Sequence, residues 1–178
     1  MVRSGDVEEQ PDPVVLAMLG DVSGRRILYA GERPGQLGLL LTTRGADVTS
    51  LAPPGAPAAD GARVIRAGLG DVSFQPVYDV VLADRVFDRT EDWETALRTA
   101  VHALCKGGQL VFSIRHPVCD PDGWTGYAMV HPVDAPGIHR PLATYLNAVI
   151  RAGCRIDQVA EPGCLVVSAY RDPGLTLR

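Results

Sequence analysis

The sequence predicts a single α/β domain built on a mostly parallel sheet, and three observations predict it. The first is the stretch 26–38, where the apolar run Ile27-Leu28-Tyr29-Ala30 enters a turn containing Gly31 and Gly35 and a leucine-bearing helix follows. That is the opening strand, loop and helix of a ligand-binding α/β unit. The second is Val77 to Leu82, a near-continuous apolar run suited to a central strand covered on both faces. The third is the alternation of strand-like and helix-like segments, with no repeat and no internal linker.

Taken in order, residues 1–12 read as a flexible N-terminus and 13–178 as one domain. Pro13 to Leu19 carries Val14, Val15, Met18 and Leu19 at helical spacing, with Asp12 as cap and Pro13 at the first helical position. Strand one is Arg26 to Ala30. A helix from about Pro34 to Thr43 turns Leu37, Leu40 and Leu41 to the sheet and stops at Arg44-Gly45. Strand two is Asp47 to Leu51. Pro53, Pro54 and Pro57 then preclude a proper crossover helix, so this connection is expected to be short. Strand three is about Arg63 to Ala67, and strand four Val77 to Leu82. Thr90-Glu91-Asp92-Trp93-Glu94 resembles a capping box and opens a helix through Leu104, with Ala96, Leu97, Ala100 and Val101 inward. Lys106-Gly107-Gly108 stops it before strand five, Gln109 to Ile114. The length of the loop from His116 to Ile138 argues for function or mobility. His139-Arg140-Pro141 opens a helix to about Ala152, and strands near 155–159 and 165–170 complete the sheet.

Composition narrows the function classes. The chain has 178 residues, 46% apolar content and a net charge of −4, which fits one domain with a real core. Lys106 is the only lysine and no basic cluster exists, which argues against a nucleic-acid partner. No apolar run approaches the roughly 18 residues of a membrane span. The polar, acidic start does not resemble a secretory signal, so a cytoplasmic location is expected. Cys105, Cys119, Cys154 and Cys164 form no CxxC pair and no zinc-like spacing, so reduced thiols and no metal are expected. Cys119 near His116 is not read as a nucleophile, because that spacing alone carries little weight.

Several blocks together resemble the class I S-adenosylmethionine-dependent methyltransferases. They are Val22 to Leu28 leading into strand one, Tyr78-Asp79-Val80-Val81 in strand four, and Asp92-Trp93 through Gly107-Gly108-Gln109-Leu110-Val111-Phe112-Ser113. Arg115-His116-Pro117, His139-Arg140-Pro141-Leu142 and Glu161-Pro162 follow in the family's order. The resemblance spans roughly Val14 to Tyr170. It implies a Rossmann-like class I methyltransferase fold, with a seven-stranded, mostly parallel sheet and a final antiparallel strand.

The departures fall on the positions that hold the cofactor in that family. Where the resemblance implies an acid before the glycine loop stands Tyr29, and where it implies the middle glycine stands Arg33, while Gly31 and Gly35 remain. The ribose-holding acid at the end of strand two is Ala52, and the adenine-side Asp falls at Gly68, with Asp71 nearby. Hydrogen bonds to charged groups contribute about 1.5–3 kcal/mol each. Losing two such acids removes about 3–6 kcal/mol, or two to four decades of affinity.

The expectation is therefore an enzyme on a hydrophobic small molecule, working without S-adenosylmethionine by cyclisation, isomerisation or elimination. Specialised metabolism enters by family analogy alone. The alternatives are an active S-adenosylmethionine-dependent methyltransferase, with Gly31 and Gly35 as cofactor contacts, and a non-catalytic binding relative. Candidate catalytic groups are His116, His139, Asp84 and Glu32. Candidate pocket residues are Tyr29, Arg33, Arg85, Trp124 and Tyr127. The plain alternative for Asp84 and Arg85 is a surface ion pair. The exposed last strands leave room for a homodimer.

Overall fold

The structure, a computed structural model, describes residues 13–31, 34–52, 63–115, 140–161 and 164–174. Among these residues lie four helices, α1 (Pro13–Leu19), α2 (Pro34–Thr43), α3 (Trp93–Ala103) and α4 (Leu142–Arg151). The strands are β1 (Arg26–Gly31), β2 (Asp47–Ala52), β3 (Arg63–Arg66), β4 (Tyr78–Asp84), β5 (Leu104–Arg115), β6 (Cys154–Ala160) and β7 (Cys164–Arg171). They form one seven-stranded sheet in the order β3-β2-β1-β4-β5-β7-β6. The strands from β3 to β5 pair in parallel, and β7 runs antiparallel between β5 and β6. The predicted class and every predicted strand are present. The expected flexible start and the shortened crossover at 53–62 lie outside the described residues. No helix among the described residues is long and apolar enough to cross a membrane.

The pleat sorts the core into two clusters. Ile27, Tyr29, Val80, Leu82 and Val111 face α1 and α2 with Val15, Leu37 and Leu41. Leu28, Ala30, Val81, Ala83, Leu110 and Phe112 face α3 and α4 with Trp93, Leu97, Tyr145 and Val149. Alternation along each strand assigns these sides, because successive side chains point to opposite faces.

Two local devices fix the elements that carry the site. Asp92 caps α3, its side chain accepting the Thr95 N–H at 3.3 Å. Gln109, 2% exposed, donates through Nε2 to Met18 O at 2.8 Å and to Ser168 Oγ at 3.0 Å, tying α1 and β7 to β5. The strand β5 starts five residues earlier than the sequence suggests. Leu104 already pairs with Tyr78, and the register then jumps to Val80–Gln109. Gly107, at φ 74°, takes a left-handed conformation in this irregularity, so the Lys-Gly-Gly run bends the strand instead of preceding it.

At the amino end of the sheet, Asp79 accepts the Arg26 backbone N–H at 2.8 Å and its Nε at 3.4 Å. Burial pushes the Asp79 carboxyl up, but the Arg26 bonds and charge and the Cys105 thiol outweigh it and hold it below the usual range. A depressed carboxyl contributes stability that is present above the unfolded value near 3.9 and is lost as pH falls through the folded one. Asp79→Asn is therefore expected to lower Tm at neutral pH and to flatten the fall of Tm below about pH 4. An unchanged acid limb would contradict this role.

Candidate functional site

Chain order reverses between β1 and β4, and the carboxyl ends of these strands make the crevice where such sheets bind ligands. Gly31 pairs with Asp84, and Asp84 with Ser113 on β5. These three residues form one rung across the switch point, on the α1/α2 side of the sheet.

Asp84 ends β4 half-buried. Its Oδ1 accepts the Ser113 hydroxyl at 2.5 Å, and Ser113 is only 2% exposed. The Arg85 backbone N–H donates to both Ser113 Oγ and Ser113 O at 3.1 Å. Arg85 sits at φ 55°, the only left-handed non-glycine among the described residues, so β4 ends in a sharp turn held by Ser113. The carboxylate is thus fixed in orientation, and no bond from the described residues reaches its Oδ2. The surface ion pair between Asp84 and Arg85 is not formed among these residues.

Behind this rung, Asp88 is 5% exposed and caps the end of β5, its Oδ2 accepting the Arg115 N–H at 3.0 Å. Arg140 reaches back from the start of α4. Its guanidinium donates to Phe87 O at 3.2 Å and to Thr90 O and Glu91 O at 3.3 Å, and it lies 5.2 Å from the Trp93 ring centroid. Trp93 stacks at a tilt on Tyr145, with centroids 4.8 Å apart. Burial pushes the Tyr145 hydroxyl up, although Arg140 opposes this. The loop after β4 is therefore held by α3 and α4 together.

Tyr29 is fully buried on the α1/α2 side. Its ring runs along β1 toward the loop. A Cβ added at Gly31 would stand 2.7 Å from Tyr29 Cζ and 2.9 Å from Cε2, and closer still to the hydroxyl. A Cβ at Gly38 on α2 would meet Tyr29 Cδ1 at 3.7 Å. Gly31 is thus glycine because a tyrosine ring lies against it. Tyr29, expected as a pocket residue, is fully buried between Gly31 and Gly38.

Of the predicted site residues, the structure brings Asp84 and Arg85 together with Gly31, and places Gly35 in the first turn of α2. Glu32, Arg33, His116, Trp124, Tyr127 and His139 lie outside the described residues. Ser113 and Asp88 were not singled out from the sequence. Ser113 carried a signal, a hydroxyl closing the apolar run Leu110-Val111-Phe112. Asp88 carried none, since a buried acid in a polar loop reads as solvated.

The thiols of Cys105 and Cys154 are poor nucleophiles. Burial pushes Cys154 up to about 11, and burial with the nearby Asp79 charge raises Cys105. No cluster of three or more His, Cys, Asp or Glu that could hold a metal occurs among the described residues. An open groove of about 660 Å³ lies between α1 and β6, away from the switch point.

Solved structures match this architecture across nearly the whole chain. An S-adenosylmethionine-dependent methyltransferase from Mesorhizobium loti superposes with a TM-score of 0.72 at 27% identity, covering 89% of this chain and 96% of that one. The chain has the class I methyltransferase fold. The 1,6-didemethyltoxoflavin-N1-methyltransferase from Burkholderia thailandensis, solved with its substrate and S-adenosylhomocysteine, gives a TM-score of 0.65 at 20% identity over 89% and 75% of the chains. The [4+2]-cyclase SpnF gives 0.68 at 12% identity over 90% and 81%. No protein-family model matches the sequence, and no curated protein does.

The positions singled out above have these places in the fold. Tyr29 stands in the core on β1. Ala52, fully buried, ends β2. Gly68 follows β3, and Asp71, exposed, turns its carboxylate back over it, so that a Cβ at Gly68 would meet Asp71 Oδ2 at 2.7 Å.

Proposed function

We propose that this chain is a methyltransferase-fold enzyme that converts a hydrophobic small molecule without S-adenosylmethionine, by cyclisation, isomerisation or elimination. The observation that carries this reading is Tyr29. A fully buried aromatic ring packed against Gly31 stands at the β1 position where the fold's cofactor-bearing members are expected to place an acid. Ala52 removes the second acid. Neither residue supplies the carboxylate that the resemblance implies for holding the charged, hydroxyl-rich cofactor, and each such lost bond costs about 1.5–3 kcal/mol. The cyclase among the structures of this fold supports the idea that the scaffold hosts ring-forming chemistry.

In this reading Asp84 is the residue that meets substrate. Ser113 holds one carboxylate oxygen, and the other is presented at the switch point to accept a proton or to stabilise developing positive charge. The second reading, an S-adenosylmethionine-dependent methyltransferase, draws on the 27% identity to such an enzyme.

Thermal denaturation with S-adenosylhomocysteine separates the two. A ligand at about 100 times its Kd stabilises by about 2.7 kcal/mol, which raises Tm by roughly 5–10 °C for a domain of this size. At 1 mM ligand the expected shift is under about 1 °C. A shift of several degrees would establish the second reading.

A further inference from the structure

The strand β6 forms one edge of the sheet, and exposed apolar surface gathers beside it. Val159 on β6 is 43% exposed and Ile150 on α4 is 56% exposed, two of the four large apolar residues left open among the described residues. Ile156 and Val159 are in register with Ala169 and Val167, which belong to the α3/α4 core, so they lie on the side of the sheet that α4 covers. On the other side stands α1, whose sequence PVVLAML has no polar side chain. A helix that is apolar all round ordinarily lies buried, yet a groove opens between α1 and β6, lined by Val14, Ala17, Met18 and Ala160. Apolar surface thus flanks the β6 edge on both sides, as it does at interaction sites.

Backbone phase and charge decide what covers this edge. The Asp172 N–H donates to Gly153 O at 2.9 Å, so the pair just before β6 is hydrogen-bonded. Bonded and non-bonded pairs alternate along an antiparallel ladder. Arg155, opposite Tyr170, therefore bonds inward, and Ile156, opposite Ala169, turns its N–H and C=O outward. The two charged residues of the strand flank Ile156. Arg155 lies on the α1 side, because its partner Tyr170 is two residues from Ser168, which Gln109 ties to α1. Asp157 lines the α1 groove. Both are exposed, and neither side chain makes an ion pair or hydrogen bond among the described residues. Asp157 is also the extra residue where the register passes from Ile156–Ala169 to Gln158–Ser168. A bulge and two charges blunt an edge against most strands.

A second copy of β6 matches them. We propose that the chain forms a two-fold dimer through β6, antiparallel to its copy and centred on Ile156. The two Ile156 residues exchange both of their outward backbone bonds. Each Arg155 then stands opposite Asp157 of the other copy, in the non-bonded positions where facing side chains approach most closely. The axis runs perpendicular to the sheet and repeats this charge pair, so the interface is isologous and closes on two chains. The bulge keeps the strand pairing short. The α1 grooves flank it on one face, and the two α4 helices with Ile150 flank it on the other. This dimer is independent of the chemistry proposed for the cleft, since β7 and β5 separate β6 from β4.

Sedimentation velocity of the full chain at low salt, from about 10 µM to about 1 mM, tests it. The parent is expected to pass from monomer to dimer within that range. Arg155→Asp and Asp157→Arg each set like charges opposite one another twice, and each should weaken the dimer about tenfold or more. Both positions are exposed, so the Tm of each dilute variant should stay within about 2 °C of the parent. Mixed in equal amounts, the two variants should dimerise as the parent does, because every facing pair is then Asp against Arg. The double variant Arg155→Asp with Asp157→Arg should recover the dimer for the same reason. A parent that stays monomeric throughout, a dimer that survives both single reversals, or single variants that remain monomeric when mixed would overturn the proposal.

Discussion

Gly31→Ala is expected to destabilise the chain by about 1–3 kcal/mol, the range for an atom forced into a filled core. The backbone gives no reason for this loss, since Gly31 is not among the glycines with positive φ. The reason is steric. The new methyl group would lie 2.7 Å from Tyr29 Cζ, and the ring is fully buried with no direction in which to retreat. Tyr29→Phe should not relieve the clash, because ring carbons as well as the hydroxyl are in the way. Tyr29→Leu should relieve it, so a double-mutant cycle of Gly31→Ala with Tyr29→Leu is expected to show a coupling above about 1 kcal/mol. Urea denaturation of the four proteins measures it. Additive losses would mean that Gly31 serves the loop and not the tyrosine, and the argument that an aromatic ring has replaced the loop acid would lose its structural basis.

Trp93→Ala is expected to cost more, about 3–5 kcal/mol. Trp93 is the first residue of α3 and 5% exposed. Its ring stacks on Tyr145 of α4 and lies under the Arg140 guanidinium, so it joins both helices to the loop that follows β4. Truncation leaves a cavity between α3 and α4 and weakens the hold of Arg140 on the carbonyls of Phe87, Thr90 and Glu91. Trp93→Phe keeps most of the buried area and should lose less than half as much. A loss in the alanine variant under about 1.5 kcal/mol, well below the range for large-to-small changes in a core, would show that α3 and α4 dock independently of this ring.

How much of this was legible follows from which signals are local. The strands and helices were readable because apolar periodicity and caps act within a few residues: α3 opens in the capping-box-like stretch 90–94, with Asp92 as its cap, and Asp47 begins β2 as expected. The start of β5 was misjudged because Gly107-Gly108 reads as a stop, whereas Tyr78 across the sheet pairs with Leu104 and draws the chain into a bent strand. Asp84 and Arg85 were legible as the close of an apolar strand. Their relation was not. An acid beside an arginine suggests a surface pair, but Ser113, in register on the next strand, takes the carboxylate and turns the backbone. Strand register is a long-range property, so no local reading could supply it. Tyr29 was read as a substitution at a cofactor position. Only the packing of its ring against Gly31 and Gly38 gives it a direction, inward and away from solvent.

The account depends on the cleft having exchanged a nucleoside cofactor for a substrate of its own. Isothermal calorimetry of the full chain with S-adenosylhomocysteine tests this most directly. With about 3–6 kcal/mol of cofactor contacts removed, a micromolar site becomes millimolar or weaker. The account predicts no binding heat up to about 1 mM ligand. A saturable isotherm with Kd below about 50 µM, in the working range of ordinary enzyme sites, would contradict it.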